Sequence, residues 1–272
     1  MTKTYIRQKT IICGSSYREI DIFQYTDTQK LIAGKKPRGV KEKISEPKQK
    51  NLNDKNAKRY LTQIINGNFT EEDLHISLTY SDENLPKTIE EADRQAANFL
   101  RRLDYLRKKN RLPKLKYIIV TSYRNGQDGT LARVHHHLIV NGDVGRDEIE
   151  DVWRKRRKKG QKKGDKLGFV NADRLQLENG SFTALARYIS NQSSGKKRWS
   201  SSHNLIRPVA RNNDTRYTRR QVERIAKSPP DRFFWEKQYP GWTLTDDHYG
   251  AEYVFNEETA SWGIYLKLRK KE

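Results

Sequence analysis

The chain has 272 residues and a formal net charge of +21, with 55 Lys and Arg against 34 Asp and Glu. Such an excess creates a field that attracts polyanions, so nucleic acid is the expected partner; no long apolar stretch or basic amphipathic anchor points to a membrane instead. Hydrophobic residues are only 34 %, but 10 % aromatics provide enough to build a core, and the single cysteine, Cys13, excludes both a disulfide framework and a thiolate zinc cluster. No signal-like apolar segment opens the sequence, so a reducing cytoplasm is the expected compartment.

Residues 34–58 are Lys-rich and read as a solvated arm or surface helix, equally compatible with a basic arm lying on DNA. Residues 57–66 predict a short helix ending at Gly67. Leu74 to Tyr80 alternates apolar and polar residues, the signature of a strand. Thr88 with Glu91 forms a capping box that opens a long helix to about residue 109. Its core stripe is Ala92, Ala96, Phe99, Leu103 and Leu106, with Arg101, Arg102, Arg107, Lys108 and Lys109 mostly outside it. After Pro113, Lys116 to Ser122 predicts a strand, and the Gly-containing loop at 124–129 turns it into a hairpin with residues 134–140. Asp147 to Arg156 predicts a helix with Ile149, Val152 and Trp153 on one face. Residues 154–166, dominated by Lys and Arg, read as a flexible basic loop that clamps phosphates. Leu167 to Asp173 follows as a strand, and Ser181 to Gln192 as a helix with Phe182, Leu185 and Ile189 inward. Lys196 to His203 alternates as a strand would, and Thr218 to Lys227 predicts a basic helix ended by Pro229-Pro230. Tyr249 to Phe255 and Trp262 to Leu268 predict a terminal aromatic hairpin.

The chemistry concentrates at Val134-His135-His136-His137-Leu138-Ile139-Val140, which holds half of the six histidines in the chain. Alternate side chains of a strand share a face, so His135 and His137 project together and His136 points the other way. Two imidazoles on one face can hold a divalent metal, with further ligands from elsewhere; the bland alternative is an exposed polar patch or one core histidine with two solvated neighbours. Arg187, Lys196, Lys197, Arg198 and Trp199 mix cations with an aromatic ring, a combination that suits single strands.

Three blocks in order resemble the HUH endonucleases, and within them the rolling-circle replication initiators of small phages and plasmids. They are Leu74-His75-Ile76-Ser77-Leu78-Thr79-Tyr80, Arg133-Val134-His135-His136-His137-Leu138-Ile139 and Ala186-Arg187-Tyr188-Ile189-Ser190. The basic segment Gly195 to Leu205 looks like the one that often follows the family's tyrosine helix. The resemblance implies an α+β fold, a central antiparallel sheet flanked by helices with a ferredoxin- or RNA-recognition-like core. It divides the chain into a basic N-terminal extension (1–66), the nicking-joining domain (67–206), and a basic helix with the aromatic hairpin (207–272). It implies Tyr188 as the nucleophile, His135 and His137 as ligands of Mg²⁺ or Mn²⁺, and a 5′-phosphotyrosine link with a free 3′ hydroxyl as products. Taken alone, Tyr188 is a residue at the edge of an apolar helix face. A phenol's pKa near 10 means it needs a nearby cation or metal to attack.

Two positions depart from the family pattern. Thr121-Ser122-Tyr123 stands where relatives carry a Glu-Tyr pair, so the third metal ligand is open among Ser122, Gln127, Asp128, His75 and water. Asn191 stands where relatives place a lysine. The resemblance implies single-stranded origin DNA as substrate, in a bacterial host cell. No Gly-x-x-x-x-Gly-Lys-Ser/Thr loop occurs, so a host helicase and polymerase are expected partners. A relaxase or transposase of the same chemistry, or a basic binding protein with a decayed site, are the alternatives.

Overall fold

A computed structural model describes residues 3–27, 47–125, 131–192, 198–245 and 250–271. Its N-terminal elements are β1 (Thr4–Cys13), β2 (Tyr17–Thr26) and α1 (Pro47–Asn68). The middle of the chain forms β3 (Leu74–Thr79), α2 (Ile89–Lys109), β4 (Tyr117–Asn125), β5 (Leu131–Val140), α3 (Arg146–Val152), β6 (Val170–Arg174), α4 (Thr183–Asn191) and β7 (Ser200–Ser201). The remainder forms β8 (Val209–Asn213), α5 (Arg219–Lys227), α6 (Arg232–Gln238), β9 (Trp242–Leu244), β10 (Ala251–Asn256) and β11 (Ser261–Lys270). The class is α+β, with the strands divided between two antiparallel sheets. No helix among the described residues is long and apolar enough to cross a membrane.

The chain forms two compact units. One comprises residues 1–68, 178–183 and 206–272, so both ends of the sequence share it. Its sheet runs β10-β11-β2-β1-β8, with β9 also paired to β11. Ile20, Ile22, Ile264, Leu266 and Leu268 alternate onto one face and bury Val222 of α5 and Trp235 of α6. On the other face Arg59 of α1 binds Glu19 and Asp21, both buried, so the carboxylates are paired rather than orphaned. The expected terminal hairpin is β10–β11. The pairs β1–β2 and β1–β8 lie in segments whose polar residues carry no strand signal.

The second unit, residues 69–177 and 184–205, holds the histidine strand. Its sheet order is β6-β3-β5-β4-β7, with β5 at the centre. Ile76, Leu78, Ile119, Leu138 and Val140 point to one face and pack against Phe99 and Leu103 of α2, Ile149 of α3 and Trp153. Helix α2 starts where expected, with the Thr88 hydroxyl accepting from Glu91 N. Arg107, expected outside the stripe, is 1 % exposed. It donates to the carbonyls of Pro113, Asn141 and Gly142, and so ties the end of α2 to the end of β5.

Three expectations are corrected. Helix α1 begins at Pro47 rather than 57; the Lys-rich residues 34–46 before it lie outside the described residues. Helix α3 stops at Val152, because Trp153 turns inward and Arg154 bridges back to Lys166. That bridge, the Lys155 N to Asp165 O bond, and the grip of Asp151 on Arg154 and Lys163 close residues 154–166 into an ordered loop, not a flexible one.

Candidate active site

The three adjacent histidines separate as strand alternation requires. His136 is fully buried on the α2 face, where Tyr80 Oη lies 2.8 Å from its Nε2 and Thr121 Oγ1 lies 3.0 Å from its Nδ1. Burial, followed by the neighbouring histidines, pushes its pKa down to about 3. It is a satisfied, neutral core histidine, wedged edge-on against Tyr80 and Trp153.

His135 and His137 face the opposite side, with their rings 5.0 Å apart. Cross-strand register brings Ser77 opposite His137 and Thr79 opposite His135 on β3, and Ser122 opposite His135 on β4. Ser122 is 7 % exposed, directly before a register shift between Ser122 and Arg124. Across from that irregularity Arg133 takes a left-handed φ of 51°, a conformation that costs a non-glycine residue on the order of 1 kcal/mol. Its carbonyl accepts a 2.8 Å hydrogen bond from His135 Nδ1. That bond fixes the ring's tautomer and leaves Nε2 with a lone pair, the arrangement that orients metal-binding histidines.

His137 is buried, and its Nδ1 lies 3.3 Å from both His75 Nε2 and Ser77 Oγ. The His75 and His137 rings stack with planes 13° apart. Burial, then the two neighbouring histidines, pushes the His137 pKa down to about 4. Burial lowers that of His75 as well, against an upward pull from Asp173. These imidazoles are therefore neutral near pH 7, the form that ligates metals. His137 Nε2 is buried with no hydrogen-bond partner, an atom of the kind that a bound ion satisfies.

Tyr188 projects from α4, whose Ala186 and Ile189 are buried while Tyr188 remains 47 % exposed. Its ring stands edge-on to His137 at 5.3 Å and to His75 at 6.2 Å between centroids. The phenol and the imidazole pair thus meet on one face of the sheet. Asn191 is exposed at the end of the same helix, and Arg187 is exposed beside Tyr188. Arg198 and Trp199 are half-buried at the approach to β7, the edge opposite β6. Gln127, Asp128, Lys196 and Lys197 lie outside the described residues.

Two polar groups on this face were not singled out from the sequence. Asp173 stands opposite His75 and Asn171 opposite Ser77 on β6, and the Asn171 amide donates to Asp173. Their signal was the alternation with Val170 and Ala172, which marks β6 as a strand with one polar face. Among the described residues no three His, Cys, Asp or Glu side chains form a metal-ligand cluster. Two correctly presented imidazoles and the Ser122 hydroxyl fit an incomplete shell, open on the side of Tyr188.

Residues 73–193 match the family model of the replication-associated protein ORF2/gene II protein. That span covers all three sequence blocks, from β3 through β5 to the Tyr188 helix. No curated protein and no solved structure matches the chain.

Proposed function

We propose that this chain is a replication initiator that nicks single-stranded origin DNA with Tyr188. The observation that carries the reading is the seating of Tyr188 against His137 and His75, on the face that also presents His135 and Ser122, inside the matched segment. His135 and His137 would hold Mg²⁺ or Mn²⁺, which when bound polarises the scissile phosphate and lowers the barrier to attack. Ser122, or Gln127 or Asp128, would complete the protein's share of ligands. The Tyr188 oxygen forms a bond to phosphorus as the P–O3′ bond breaks. The phenol loses its proton, the DNA keeps its 5′ phosphate as a tyrosyl ester, and the departing oxygen is protonated to a 3′ hydroxyl. That hydroxyl primes a polymerase, with strand separation left to a helicase supplied by the host.

The test is a covalent adduct between the protein and a single strand cloned from the DNA that encodes it. The wild type forms the adduct only with divalent metal present. Tyr188→Phe forms none yet binds the strand, because only the hydroxyl is removed. An adduct from the Phe variant would hand the nucleophile to another tyrosine. A nick confined to one position separates an initiator from a relaxase or transposase, which would form the same ester. Ser122 and Asn191 favour a second reading, a basic single-strand-binding protein without catalysis. Strand binding with no adduct in any metal would establish it.

A further inference from the structure

We propose that Phe169 and the ordered loop 154–166 form a stacking and phosphate clamp for the single strand at the Tyr188 face. This rests on the reading above that a single strand lies on that face. Phe169 is 79 % exposed, although a phenylalanine of this size is ordinarily covered. The alternation that sends Val170 and Ala172 towards the α2 core puts Phe169 with Asn171 and Asp173, on the histidine side. Its carbonyl accepts from both the N–H and the hydroxyl of Thr79, and Thr79 is the register partner of His135. The exposed ring is therefore anchored two strands from a proposed metal ligand. Gly168 lets the backbone come this close, because a Cβ there would run into the Thr79 carbonyl.

The loop leading into Phe169 supplies the charge. Arg154 and Lys163 are spent on Asp151, which holds the loop's shape. Arg156, Arg157, Lys158, Lys159 and Lys162 are exposed, and none has an ion-pair partner among the described residues. A lone exposed ring or a solvated charge run is ordinary by itself. An anchored ring at the end of a fixed cationic loop matches the two needs of a single strand, a π-face for a base and cations for its phosphates. The chemistry recognises single-stranded nucleic acid without sequence preference, since every base has a π-face.

The probe is an oligothymidylate carrying one 2-aminopurine, whose fluorescence is quenched on stacking. Phe169→Ala weakens binding roughly ten-fold and relieves the quenching, whereas Phe169→Tyr keeps both. Replacing Arg156, Arg157, Lys158 and Lys159 with Gln weakens binding and flattens its salt dependence. Thermal melting of every variant stays near the wild type, since all these side chains are exposed. Unchanged affinity and quenching in Phe169→Ala overturns the clamp, and an unchanged salt slope removes the loop from it. Phe169-dependent binding without any adduct leaves the clamp standing and sinks the nicking reading. Adduct formation with an indifferent Phe169→Ala does the reverse.

Discussion

His136 shows how one ring can be read from its neighbours and still carry a consequence that the sequence hides. Strand alternation alone separated it from His135 and His137. Its hydrogen bonds to Tyr80 and Thr121 depend on where β3 and β4 lie, which no local pattern states. Its folded pKa of about 3 lies below the unfolded value near 6.5. Between these values the unfolded chain takes up a proton that the native state refuses. The stability it contributes is therefore complete above pH 6.5 and is lost as pH falls towards 3. At pH 5 the loss from this one ring is about 2 kcal/mol. Urea denaturation at pH 7 and pH 5 should show it. His136→Gln, which cannot titrate, should start less stable at pH 7 but lose less on acidification. An equal loss in both proteins would mean that other groups govern the acid response.

Ser122 supports a second test at the same level. A carboxylate placed at this buried position, opposite His135, has no cation of its own. Ser122→Glu should melt lower than the wild type in chelator, as an uncompensated buried acid does. With Mn²⁺ it should gain more than the wild type, because hard ions favour carboxylate oxygen and binding to the native state raises stability. His137→Ala should abolish the metal response in either background. A smaller Mn²⁺ shift in Ser122→Glu would mean that Gln127, Asp128 or His75 already fills the shell. The two ring nitrogens presented to the site were legible from spacing, but the place of Tyr188 against them was legible only from the order of the blocks. Asp173 and Phe169 were not legible, because their meaning depends on the β3–β6 register.

The elements themselves were clearest where one face is apolar and the other polar. Strands β3, β4 and β5 and helix α2 announced themselves by period, and α2 also by its Thr88 cap. Strands β1 and β2 did not, since one face of that sheet carries the Glu19, Asp21 and Arg59 charges in place of an apolar stripe. Arg107 is a further case in which charge concealed burial. Its guanidinium satisfies three carbonyls at the junction of α2, the Pro113 turn and the end of β5. Arg107→Ala would leave those acceptors dry and open a cavity, for a cost of about 3 to 5 kcal/mol. Lys offers one ammonium where a planar fork is needed, so Arg107→Lys should recover only part of that. Denaturant midpoints for the two variants provide the check. A loss under about 1 kcal/mol for Ala would show that water replaces the guanidinium.

Across the whole chain, the path matters as much as the charge. The chain leaves the second unit at residues 178–183, re-enters it for 184–205, and finishes in the first. The matched segment 73–193 is therefore threaded through both units rather than being a separable piece of sequence. The positive charge was legible from composition, but composition does not say which cations meet phosphate. Single-strand binding by a chain of charge +21 should weaken steeply with salt, because each neutralised phosphate releases counterions. Lys196, Lys197 and Arg198 follow the Tyr188 helix directly in sequence. If all three meet phosphates, replacing them with Ala should reduce the slope of log K against log salt by about 2, at roughly 0.7 per contact on a single strand. Tyr188→Phe is the proper background, since no covalent product then distorts the equilibrium. A slope unchanged by the triple substitution would exclude this segment from the contact and leave the Arg154–Lys166 loop as the chief phosphate-binding surface.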